Sequence, residues 1–89
     1  MRDQIFTDAI NTYFDQIRNE AFAPYVSLQF KAGFAGPVLV FNRNRHLIII
    51  GHHELTGDLT IDDQFMQKPV TVPSFVHVNN WLNQAIGRF

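Results

Sequence analysis

The sequence predicts an α+β fold: an antiparallel sheet of three to four strands, flanked by an N-terminal and a C-terminal helix (α-β-β-β-(β)-α), with both helices on one face of the sheet. Three observations point to it. Apolar residues recur at spacings of three and four near each end of the chain. Through the middle they alternate with polar residues or run unbroken for a few positions. Short stretches rich in Gly or Asn separate those middle segments, and strands joined by short turns are antiparallel neighbours.

The first helix is expected over residues 3 to 20. Ile5, Phe6, Ala9, Ile10, Tyr13, Phe14 and Ile17 share one side of it, and Asp8, Asn11, Thr12, Asp15, Gln16, Arg18 and Asn19 fill the other. Asp3 is placed to cap its first turn. The stretch Ala21-Phe22-Ala23-Pro24 ends the helix, because the residue before proline is pushed out of the αR region. Val26, Leu28 and Phe30 then alternate with Ser27, Gln29 and Lys31, as in a strand with one wet face. Gly33-Phe34-Ala35-Gly36-Pro37 is a turn. It has the GxxG spelling of a KH loop, but it follows a strand and has Phe-Ala at its centre, where that loop joins helices and carries polar residues.

Two hairpin arms follow, Val38–Phe41 and His46–Gly51, around the polar insert Asn42-Arg43-Asn44-Arg45. A two- or four-residue loop is expected to put Phe41 opposite His46 and Leu39 opposite Ile48. Val38, Val40, Leu47 and Ile49 then share one face; Leu39, Phe41, Ile48 and Ile50 share the other. Both faces are apolar, the pattern of strands buried on two sides. Thr56-Gly57-Asp58 reads as a second turn, followed by a short strand near Leu59–Ile61. Asp62 or Asp63 is placed to cap one helical turn through Phe65 and Met66. The last helix starts with Thr71 or Ser74 as cap and Pro73 near its first position. Phe75, Val78, Trp81, Leu82, Ala85 and Phe89 form its stripe, and Gly87 is expected in the αL conformation at its end.

Eighty-nine residues with 46% hydrophobic and 17% charged side chains describe one globular domain, residues 1–89. Seven basic and eight acidic side chains are mixed along the chain, so no strong field draws it to nucleic acid or anionic lipid. The absence of cysteine excludes disulfides and thiolate chemistry. The longest aliphatic run, Leu47–Ile50, is far too short to span a bilayer. The expected location is cytoplasmic, with no membrane association.

No chemistry-bearing motif emerges, so no enzyme, cofactor or metal is expected. His52-His53-Glu54 is the most ligand-like cluster, but adjacent strand residues point to opposite faces unless Gly51 opens a bulge. Ser27 and Ser74 lack a nucleophile context, and Asp62-Asp63 reads as a solvated turn. The expectation is therefore a non-catalytic protein-binding module, an adaptor, inhibitor or regulatory subunit that self-associates or docks a protein partner through an apolar sheet face. Two helices cover one face only, and covering a patch of roughly 350 Å² is worth on the order of 9 kcal/mol before association costs. The expected contact residues are Leu39, Phe41, Ile48 and Ile50, or the opposite set if the helices take that face, with Arg43, Arg45, His46 and His52 as a polar rim. The alternative is a nucleic-acid-binding module using Arg43 and Arg45 at the hairpin tip, since a two-stranded ribbon can enter the major groove.

Overall fold

The helical spacing at the two ends yields two helices in the computed structural model, which describes residues 2–87. The first, α1, spans Arg2–Gln16 and buries Ile10 and Tyr13. It tightens into a 3-10 turn, Ile17–Asn19, rather than running to residue 20 as an α-helix. Asp3 lies inside the first turn instead of capping it. A second 3-10 turn, Ala23–Tyr25, carries Pro24 near its start, where the missing N–H costs nothing. Between the two turns Phe22 drops fully into the core.

The middle of the chain forms five antiparallel strands, one more than the upper expectation. They are β1 (Val26–Gln29), β2 (Val38–Arg43), β3 (His46–His52), β4 (Leu59–Asp63) and β5 (Val70–Thr71). Their spatial order follows the sequence, β1-β2-β3-β4-β5, so the sheet is a meander. The connection between β1 and β2 needs its glycines: Gly33 and Gly36 have φ of 91° and 80°. The hairpin loop is two residues, Asn44-Arg45, with φ of 50° and 69°, as a type I′ turn requires. The register is therefore Phe41 opposite Ile48 and Arg43 opposite His46. The two-residue loop is one of the two lengths expected, but the register differs by two residues from the expected pairing of Phe41 with His46, and a two-residue slip leaves every side chain on its face.

The last helix, α2, spans Phe75–Ile86 and buries Val78, Leu82 and Ala85. Ser74 occupies the N-cap position with no side-chain cap bond; its Oγ lies 3.2 Å from His77 Nδ1 instead. Thr71 belongs to β5. Gly87 ends α2 with φ of -76°, in the right-handed region, so the αL expectation does not hold. Phe89, assigned above to the stripe, lies outside the described residues.

Both helices lie on one face of the sheet. Tyr13 of α1 stacks on Phe75 of α2 at 4.7 Å, and its hydroxyl donates to Asn79 Oδ1 at 3.0 Å. Burial pushes the Tyr13 phenol well above its usual range, with Glu20 adding to the effect. Beneath the helices sit Leu39, Phe41, Ile48, Ile50 and Ile61, all with no exposed surface, together with Phe22 and Val72. Each such aliphatic or aromatic side chain contributes roughly 1.5–3 kcal/mol by leaving water.

Candidate protein-binding surface

The helices chose the face carrying Leu39, Phe41, Ile48 and Ile50. Those four residues are the centre of the core and present nothing to a partner. The opposite set, Val38, Val40, Leu47 and Ile49, faces away from the helices by strand alternation. It is only partly covered. The β1–β2 connection folds back along β3, where the Ala35 N–H donates to the His52 carbonyl at 2.8 Å and Phe34 bridges to His53. The Phe34 ring is thereby laid over Gly51. A Cβ on Gly51 would stand 2.5 Å from Val38 Cγ1 and 2.8 Å from Phe34 Cδ1. Gly51 therefore opens no bulge; its register opposite Thr60 is regular, and its missing side chain is the space that Val38 and Phe34 fill. Val38 and Val40 are buried, while Leu47 and Ile49 stay half-exposed. Around that strip lie Ser27, Gln29, Asn42, Asp62 and Thr71.

Of the expected polar rim, only Arg45 is an exposed side chain at the hairpin tip. Arg43 bends back over the helix face. Its guanidinium donates to the Ile86 carbonyl at the end of α2 and lies 5.3 Å from the centre of the Tyr25 ring. It thus satisfies a carbonyl that the last helical turn leaves without an internal donor.

His46 lies on the core side of β3 and is fully buried. Its Nε2 stands 2.7 Å from Asp63 Oδ1, and its ring stacks on Phe65 at 4.3 Å. Asp63 is buried as well, contrary to the solvated turn expected. Its Oδ1 also accepts the Phe65 N–H at 3.0 Å, and its Oδ2 accepts the Trp81 indole N–H at 2.9 Å. A carboxylate only accepts, so the His46 Nε2–H is the donor in this contact. Burial pushes the Asp63 carboxyl up, but the bonds from Trp81, Phe65 and His46 outweigh it and hold it below the usual carboxylate range. Asp63 thus anchors the turn after β4 through an Asx bond, rather than capping a helical turn. The cluster has no open side for a substrate, since His46 and Asp63 are both fully enclosed.

His52 is buried between aromatic rings, stacked on Phe6 at 4.3 Å and edge-on to Phe75 at 6.2 Å. Its Nδ1 has no hydrogen-bond partner among the described residues, and burial holds its pKa below the ordinary value. His53 points the other way, into the turn, where its Nδ1 accepts the Leu55 N–H at 3.2 Å. Among the described residues no group of three His, Asp or Glu side chains could hold a metal ion. Nor is any described helix long and apolar enough to cross a membrane.

The strand β1 was expected from the sequence, but its place as an open edge of the sheet was not drawn from it. It ends the sheet, and Ser27, Leu28 and Gln29 are all exposed, followed by the exposed Phe30. The signal was available: the first strand of a meander is an edge by construction, with one row of backbone groups pointing away from its neighbour. Comparison with family models, with curated proteins and with solved structures finds no match for this chain.

Proposed function

We propose that this chain is a non-catalytic protein-binding module that self-associates through the open parts of its sheet. The observation that carries this reading is the half-exposed Leu47–Ile49 strip on the face that neither helix covers, and the sheet also leaves β1 exposed at its edge. Apolar surface left in the middle of a sheet, ringed by the polar Ser27, Gln29, Asn42 and Thr71 and the single carboxylate of Asp62, suits a protein partner better than a polyanion. The enclosure of His46 and Asp63 and the burial of His52 support the non-catalytic half of the reading. The nucleic-acid alternative keeps Arg45 at the hairpin tip but loses Arg43 to the end of α2.

Molar mass by sedimentation across a dilution series from micromolar to millimolar tests the proposal. Self-association that survives high salt is the expected result, because apolar burial is not screened. A monomer throughout, with no binding of an apolar dye, overturns it. Salt-sensitive retention on DNA or RNA, lost in Arg45→Ala, would transfer the assignment to the alternative.

A further inference from the structure

The sheet has two ends, built differently. β5 is two residues long and bracketed by Pro69 and Pro73, which supply no N–H to an added strand. β1 is longer and open between Pro24 and Lys31: Val26-Ser27-Leu28-Gln29-Phe30 contains no proline, no charge and no glycine. On the helix side of this segment Leu28 is 39% exposed, and Phe30, one residue past the strand, is 80% exposed.

The segment also reads alike in both directions. About Leu28 it runs apolar, polar, apolar, polar, apolar. We infer that β1 pairs antiparallel with β1 of a second copy of this chain, about a two-fold axis through Leu28, to make one continuous sheet. This rests on the reading above that the chain self-associates, and it names the contact. Directly opposed residues of antiparallel strands share a face. With the axis at Leu28, Val26 faces the partner's Phe30, Leu28 faces the partner's Leu28, and Ser27 faces the partner's Gln29. Every apolar side chain on the helix side meets an apolar one, and every polar one on the other side meets a polar one. The next pair outward sets Lys31 beside the partner's Tyr25, so no like charges oppose. Moving the axis to Ser27 would face Phe30 with the partner's Pro24, whose ring contributes no N–H.

The contact is isologous, as most homodimers are. It is also short. The four residues of β1 with Phe30 extend roughly 17 Å, and the buried area falls at the small end, below about 1,200 Å² in total. The dimer is therefore a reversible one, in the micromolar range or weaker.

A charge swap at the axis is the decisive experiment, because only a self-paired position responds to it. Leu28→Lys and Leu28→Glu, each shown to be folded by circular dichroism, are run separately and as an equimolar mixture in sedimentation velocity. Each alone should associate at least about tenfold more weakly than the parent chain, because like charges then oppose. The mixture should recover association. Val76→Lys, at an exposed position on α2 outside both the strip and β1, should leave association unchanged. If Leu28→Lys associates like the parent, the edge pairing is overturned. If in addition Ile49→Asp abolishes association, self-association stands and its contact is the Leu47–Ile49 strip. If the parent chain stays monomeric at millimolar concentration, the edge pairing and the self-association reading fall together.

Discussion

The two faces of the central hairpin are made of the same kind of residue and are covered in opposite ways. Ile48 and Ile50 lie under two helices with no exposed surface, in a core shared by residues from both ends of the chain. Ile49, between them in sequence, points to the other side, where the main cover is a single connection folded back so that Phe34 rests over Gly51. The first face is a core in the ordinary sense, with each side chain touched from several elements. The second is sealed at one end by one ring and left half open at the other. An apolar pattern on both sides of a strand therefore establishes that both sides need cover. It says nothing of how much cover each receives, because a lone aromatic residue in a turn can do part of the work of a helix.

The contrast is sharpest in neighbouring substitutions. Ile48→Asp is expected to destabilise the fold by more than about 4 kcal/mol and to leave the chain unfolded at room temperature, since it buries an unpaired charge. Ile49→Asp should cost about 2 kcal/mol, less than Ile48→Asp because Ile49 keeps some contact with water, although its carboxylate stands opposite Asp62. Urea unfolding followed by circular dichroism measures both; similar losses for the two would mean the faces are equally enclosed. Next in size is Asp63→Ala, which takes the acceptor from three donors, one buried and two partly buried, and should cost about 3 kcal/mol in the same assay.

Gly51→Ala attacks the cover of the second face directly. Its methyl group overlaps Val38 and Phe34, so a loss of about 2 kcal/mol is expected, with apolar-dye binding rising as Phe34 is displaced. Acid should separate two contributions on the helix face. His52 has a lowered folded pKa, so the unfolded chain takes up a proton that the folded one refuses. The stability this represents is whole above the unfolded value of about 6.5 and declines as the pH drops below it. Asp63, also lowered, contributes stability that is present above about 3.9 and is lost as the pH falls through its folded value. Urea titrations at a series of pH values should show the upper decline disappear in His52→Phe and the lower one persist. The smallest effect is a gain: Arg45→Gly at the hairpin tip relieves a non-glycine φ of 69° and should add about 0.5–1 kcal/mol.

Periodicity made much of this legible. The spacing of Ile10, Tyr13 and Ile17, and of Val78, Leu82 and Ala85, marks both helices, and the two unbroken apolar runs around Asn42-Arg43-Asn44-Arg45 mark the hairpin, whose two face sets follow from strand geometry. Periodicity does not say which set the helices take, because both are apolar; that choice decided that Leu39, Phe41, Ile48 and Ile50 are core. Residues 62 to 70 carry no period, so β5 and the buried place of Asp63 were not readable from pattern. Trp81 held a partial clue, since a packed indole needs an acceptor for its N–H. Arg43 held none: its neighbours in sequence suggest a solvated tip, and only the approach of α2 turns it inward.

The bond from Tyr13 to Asn79 joins residues 66 positions apart. Strand pairing in the meander is local by comparison, each turn being closed by its own neighbours. Loop closure over such a distance is an entropy debt that accumulates before the contact returns anything. In a polypeptide emerging from the ribosome, α1 therefore has a greasy side ready long before its companion helix exists, and the sheet is the platform on which it can wait.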